Sequence, residues 1–100
     1  KTIENLAVVA IDISQIILAS LKKPAANSYR ESLLEAASEL SFSESDSKIF
    51  SGSAEVRNIL AHEYLDYRWK DIRWFLENAL PLFPLFIKNA KKFLEENSKL

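Results

Sequence analysis

The sequence predicts an all-α fold, an up-and-down bundle of about five helices. Three observations carry this expectation. One hundred residues hold a single glycine and three prolines, so the chain has few places to turn and long stretches free to coil. Apolar residues recur at helical spacing. Two serine-led boxes, Ser28-Tyr29-Arg30-Glu31 and Ser43-Glu44-Ser45-Asp46, read as helix starts.

The first helix is expected over about Thr2–Leu21. Ile3, Leu6, Ala10, Ile13 and Ile17 form one stripe. Val8, Val9, Ile11, Ile16 and Leu18 widen it until most of the circumference is apolar, the mark of a helix buried on more than one side. In a chain this small the second side calls for a partner subunit. Lys22, Lys23 and Pro24 end the helix, with the lysines placed well for its C-terminal dipole. The capping box at Ser28 opens a second helix, about Tyr29–Leu40, with Leu33, Leu34, Ala37 and Leu40 inward. The third starts after Ser43 and runs to about Tyr67, through Gly52, which costs on the order of 1 kcal/mol relative to alanine. A fourth, Trp69–Leu80, turns Ile72, Phe75, Leu76 and Ala79 inward. Pro81 and Pro84 are expected to make a turn. A last helix, about Leu85–Asn97, adds Phe86, Ile87, Ala90, Phe93 and Leu94.

Composition narrows the function. Hydrophobic residues make up 48% and charged residues 27% of the chain, as in a globular domain, and residues 1–100 are read as a single domain. No cysteine is present, which excludes disulfides and fits a reducing, cytoplasmic setting. With one histidine, a mononuclear zinc site within a chain lacks donors, and no cofactor is expected. The longest uncharged stretches, Ile13–Leu21 and Ala79–Ile87, are too short to span a bilayer. No secretory signal is visible. The chain opens without methionine in mid-pattern, so a fragment lacking its first helix is expected. The net charge of −1 gives no global basic field for a polyanion, so any nucleic-acid chemistry must be local.

The third helix carries the polar groups that suggest chemistry: Arg57, Asn58, His62 and Tyr64. At 100° per residue, Arg57 and Tyr64 lie about 20° apart, on a face shared with Ile49, Phe50, Ala54, Leu60 and Ala61. Asn58 and His62, four residues apart, share another. Arg57 and His62 are roughly 140° apart on an ideal helix, so a long arginine, a distortion or a second subunit must bring them together. Arg57 needs a partner on an apolar face, and Asp12, the only charge between Glu4 and Lys22, is the candidate. Two readings stay open: a buried structural Arg57–Asp12 pair, or an Asp12 that orients Arg57 for a phosphate. Taken singly, His62 reads as a surface or satisfied polar residue and Tyr64 as packing.

Arg57-Asn58-Ile59-Leu60-Ala61-His62-Glu63-Tyr64 resembles the R-x-x-x-x-H-x-Y signature of HepT-like proteins in the HEPN superfamily. The helix bearing Ala10-Ile11-Asp12-Ile13, the Ser28–Leu40 segment, and the segment from Trp69 to Leu80 with its following proline resemble that family too. Two features depart from its pattern: the first family helix is expected to be truncated, and Gly52-Ser53-Ala54-Glu55 stands where a more apolar approach is usual. The resemblance implies a metal-independent endoribonuclease toxin. His62 would serve as acid–base, Arg57 would hold and stabilise the phosphate, and Asn58 would fix the imidazole or donate to the phosphate. It implies a homodimer whose two motifs face one cleft, an RNA substrate, and a minimal nucleotidyltransferase antitoxin that attaches AMP to Tyr64. A catalytically silent dimeric interaction module and a nucleotide-binding helical module are the rival readings.

Overall fold

A computed structural model describes the backbone of residues 2–61 and 68–97, with side chains over 5–57 and 70–97. Helix α1 spans Thr2–Ser20 and α2 spans Tyr29–Glu39. Both end in the same way. Lys22 (φ 58°) and Ser41 (φ 72°) take the left-handed conformation, and the following N–H groups reach back, Lys23 to Leu18 O at 3.1 Å and Phe42 to Ala37 O at 3.1 Å. This is the Schellman arrangement, here without the usual glycine. The start of α2 follows the sequence: Ser28 Oγ accepts from the Glu31 N–H at 3.1 Å, while the Glu31 carboxylate accepts from the Asn27 N–H at 3.1 Å. Ser43 caps α3 similarly, through the Asp46 N–H at 3.0 Å.

The third predicted helix is two. Helix α3 spans Glu44–Ser51, α4 spans Ser53–Ala61, and Gly52 is the joint. The bonds there tighten to i→i−3: Gly52 N–H to Ile49 O and Glu55 N–H to Gly52 O, each 3.1 Å. Glycine is needed for space, because its φ of −63° suits any residue. A Cβ at position 52 would come within 2.9 Å of Trp74 Cζ3, and closer still to the neighbouring Cη2. The indole therefore lies against the bare backbone of the joint.

The expected proline turn is absent. Helix α5 (Arg68–Trp74) continues through a π-helical stretch, Phe75–Ala79, and a 3-10 stretch, Leu80–Leu82, into α6 (Phe83–Asn97). The junction residues Trp74, Ala79, Leu80 and Phe83 all keep right-handed helical angles. A proline inside a helix removes one N–H and crowds the carbonyl four residues back. Here the hydrogen bonds shift to suit: the Leu80 N–H reaches Phe75 O, and the Phe83 N–H supplies the Leu80 carbonyl that Pro84 cannot. At 1.5 Å per residue such a run is about 45 Å long, which accounts for a molecule 49 Å long and 23 Å across.

Helix α1 packs on α2 and α4, α2 on α3, and α6 reaches α1. The core is aromatic where α3 meets the long run. Phe50 stacks on Phe86 at 4.4 Å and touches Phe83 at 5.0 Å, with Phe42 edge-on to Phe50 at 5.7 Å. Leu33, Ala36, Ala37, Phe75 and Ala79 complete it. Two residues expected inside face out: Leu76 and Ile87 are each 44% exposed. There is no strand among the described residues, and no helix there is long and apolar enough to cross a membrane.

Candidate functional site

Arg57 lies on α4 one turn after the Gly52 joint, and it is half-buried. Its guanidinium carbon sits over the Tyr29 ring, 5.5 Å from the centroid, a distance at which the π face attracts a cation. Tyr29 is the first residue of α2, so the capping box that starts that helix also sets the ring beneath Arg57. Two residues before Arg57, Glu55 accepts from Arg30 Nη1 at 2.8 Å. This pair ties α4 to α2 a second time. Both partners are well exposed, so it orients the elements more than it stabilises them.

A groove of about 570 Å³ opens beside these residues. Gln15 of α1, residues 26–30, Ser32, and Ala54 with Glu55 line it. A smaller recess of about 210 Å³ lies across the Arg30–Glu55 pair, walled by Trp74 and the Gly52 joint, with Lys48 and Asp71 at its rim. Among the described residues no cluster of metal-ligating side chains occurs.

Asp12 lies elsewhere. It is exposed on α1, and the ion pairs among the described residues join Lys23 to Glu39, Arg30 to Glu55 and Lys48 to Glu44, not Asp12 to Arg57. The buried stripe of α1 is Ala7, Ala10, Ile11, Ser14, Ile17 and Leu18. Asp12 falls roughly 140° from Ala7 on the helical wheel, on the side of the exposed Val9 and Ile16. A lone carboxylate gains hydration by facing out, so the expected buried pair does not form.

Of the other residues singled out from sequence, Asn58 lies within α4, but its side chain, together with His62, Tyr64 and Tyr67, lies outside the described residues. Tyr29, which lies under Arg57 and lines the groove, was not singled out from sequence. Nothing local links positions 29 and 57. The one available signal was a large aromatic at the first position of a helix, where it has no turn before it to pack upon.

An all-helical bundle is consistent with the HEPN class of proteins, and the R-x-x-x-x-H-x-Y segment resembles the signature of its HepT-like members. A family model described as Ribonuclease HepT-like matches residues 1–90, and the chain belongs to that HepT-like ribonuclease family. Neither the curated proteins nor the solved structures compared with the chain give a match.

Proposed function

We propose that the chain is a single-domain, metal-independent endoribonuclease toxin in which Arg57 and His62 act on an RNA phosphodiester across a dimer cleft. The observation that carries this reading is the family match, which spans Arg57, Asn58, His62 and Tyr64. The position of Arg57 over the ring of Tyr29, itself a wall of an open groove, is consistent with it.

The chemistry needs few parts. The ribose 2′-hydroxyl attacks the adjacent phosphorus, its proton passes to a base, and the departing 5′-oxygen takes a proton from an acid. A 2′,3′-cyclic phosphate and a 5′-hydroxyl remain. His62 suits both proton transfers, since imidazole ordinarily titrates near neutrality. Arg57 offers a forked donor to the charge that grows on the phosphate oxygens. Asn58 fixes the imidazole or donates to the phosphate. A nucleotidyltransferase partner silences the enzyme when the Tyr64 phenol attacks the α-phosphate of ATP and pyrophosphate leaves. The added anion and bulk exclude RNA from Arg57.

The test is cleavage of single-stranded RNA in the presence of EDTA by the parent, Arg57→Ala and His62→Ala proteins. The parent should cut, leaving cyclic phosphate ends, and both variants should lose activity by about a hundredfold or more with helical circular dichroism retained. Parental cutting by His62→Ala overturns the assignment. Tyr64→Phe should keep cutting and escape silencing by the partner and ATP. An AMP adduct mapped to Tyr67 alone would remove Tyr64 from its role while the nuclease assignment stands.

A further inference from the structure

Tyr29 stands between Arg57 and the open groove. Its ring carries the guanidinium, yet the residue is 43% exposed and lines the groove wall. A tyrosine this open has aromatic area to spare for a second contact. Gln15 and Asn27, both exposed, add amides to the same groove, and such groups donate to and accept from the edges of unpaired bases. Arg30, held by Glu55 at 2.8 Å in an exposed pair, is a cation for which a neighbouring phosphate can compete. The volume of about 570 Å³ falls within the roughly 300–1,000 Å³ of small-molecule sites.

We propose that this groove seats the nucleoside adjoining the scissile phosphate, with the Tyr29 ring stacking its base while steadying Arg57 from beneath. The inference rests on the ribonuclease reading above and names the substrate form that the site accepts. The base must be unstacked to meet the ring, so the ligand is single-stranded RNA; bases within a duplex have their faces covered. Arg57 then reaches the phosphate from a fixed platform. The ring sets where along the strand the phosphate stops, and the amides of Gln15 and Asn27 read the base edge.

The test separates base from backbone. Binding of a short 2′-O-methyl oligouridylate, which lacks the attacking hydroxyl and cannot be cut, is measured by fluorescence anisotropy beside an abasic oligomer of equal length with the same 2′-O-methyl block. Tyr29→Ala should weaken the oligouridylate by about tenfold or more and the abasic oligomer clearly less, since only the support of Arg57 is lost there, while Tyr29→Phe binds both like the parent. Equal losses on both ligands, or no loss on either, overturn the base-stacking role. In the unaltered protein, a 4-thiouridine oligonucleotide should photocrosslink to the peptide containing Asn27–Arg30, and crosslinks confined elsewhere overturn the proposal even where Tyr29→Ala fails to fold. A parent that cuts RNA while Tyr29→Ala binds oligouridylate normally sinks this inference alone. A parent that neither binds nor cuts RNA removes the ribonuclease reading and this inference with it.

Discussion

Ser14 lies at the middle of α1, 0% exposed, and its hydroxyl has no hydrogen-bond partner. A hydroxyl taken from water without a replacement bond is a cost, of about 1–3 kcal/mol. Ser14 continues the line of Ala7 and Ala10 along the stripe that α1 turns inward, so a small side chain is what the packing asks for. Ser14→Ala keeps that size, removes the orphan oxygen and favours the helix. Its unfolding free energy in urea should rise by about 1 kcal/mol with an unchanged m value; a fall of that size means that the hydroxyl has a bond after all. Arg57 can be judged by the same logic. Because Asp12 is exposed, removing Arg57 leaves no buried Asp12 unpaired. The Tyr29 contact that Arg57→Ala removes is worth about 0.5–1 kcal/mol at a partly open site, and urea unfolding of that variant beside the parent separates lost chemistry from lost stability.

At the scale of elements, the joint at Gly52 decides where α4 points. Alanine there would favour one continuous helix by about 1 kcal/mol, but its methyl would collide with the Trp74 indole. Gly52→Ala should therefore push Trp74 into solvent, read as a shift of tryptophan emission to longer wavelength. Unchanged emission would mean that the indole does not rest on the joint. This element shows why some of the fold was legible in sequence and some was not. The starts of α2 and α3 follow from Ser28 and Ser43, because a cap is made within four residues. The break at Gly52 depends on a side chain twenty-two positions away, and a lone glycine in an apolar pattern carries no sign of it. Pro81 and Pro84 misled for a related reason: breaking propensity is local, whereas the packing of Phe83 and Phe86 on Phe50, and of Phe75 on Phe83, keeps the chain helical through them. In the site, the spacing of Arg57, His62 and Tyr64 was legible as a motif. The Tyr29 platform was not, since two helices must dock before it exists.

The whole molecule leaves apolar surface uncovered. Val9 is 48% and Ile16 56% exposed on the outer side of α1, and an open trough of about 500 Å³ runs between Leu6, Val9 and Ala10 on one wall and Phe83, Pro84 and Ile87 on the other. Contiguous apolar surface of this kind marks association in soluble proteins. The expected state is a homodimer, seen by sedimentation at tens of micromolar, an order of magnitude suited to a standard interface; monomer alone at that concentration counts against a composite cleft. The long helical run also fixes where the chain tolerates gain or loss of residues. Phe75, Ala79, Phe83, Phe86 and Ala90 stay in one buried line although the winding loosens over 75–79 and tightens over 80–82, so the two irregularities offset each other in phase. Deleting one residue from 75–82 would rotate everything after it by about 100° and swing Phe86 out of its stack. Deleting Ala25, in the irregular stretch before the cap of α2, would shorten a connection without turning the phase of any helix. Length variation among relatives should therefore collect before α2 and be excluded from the proline-bearing stretch, whatever residues occupy it.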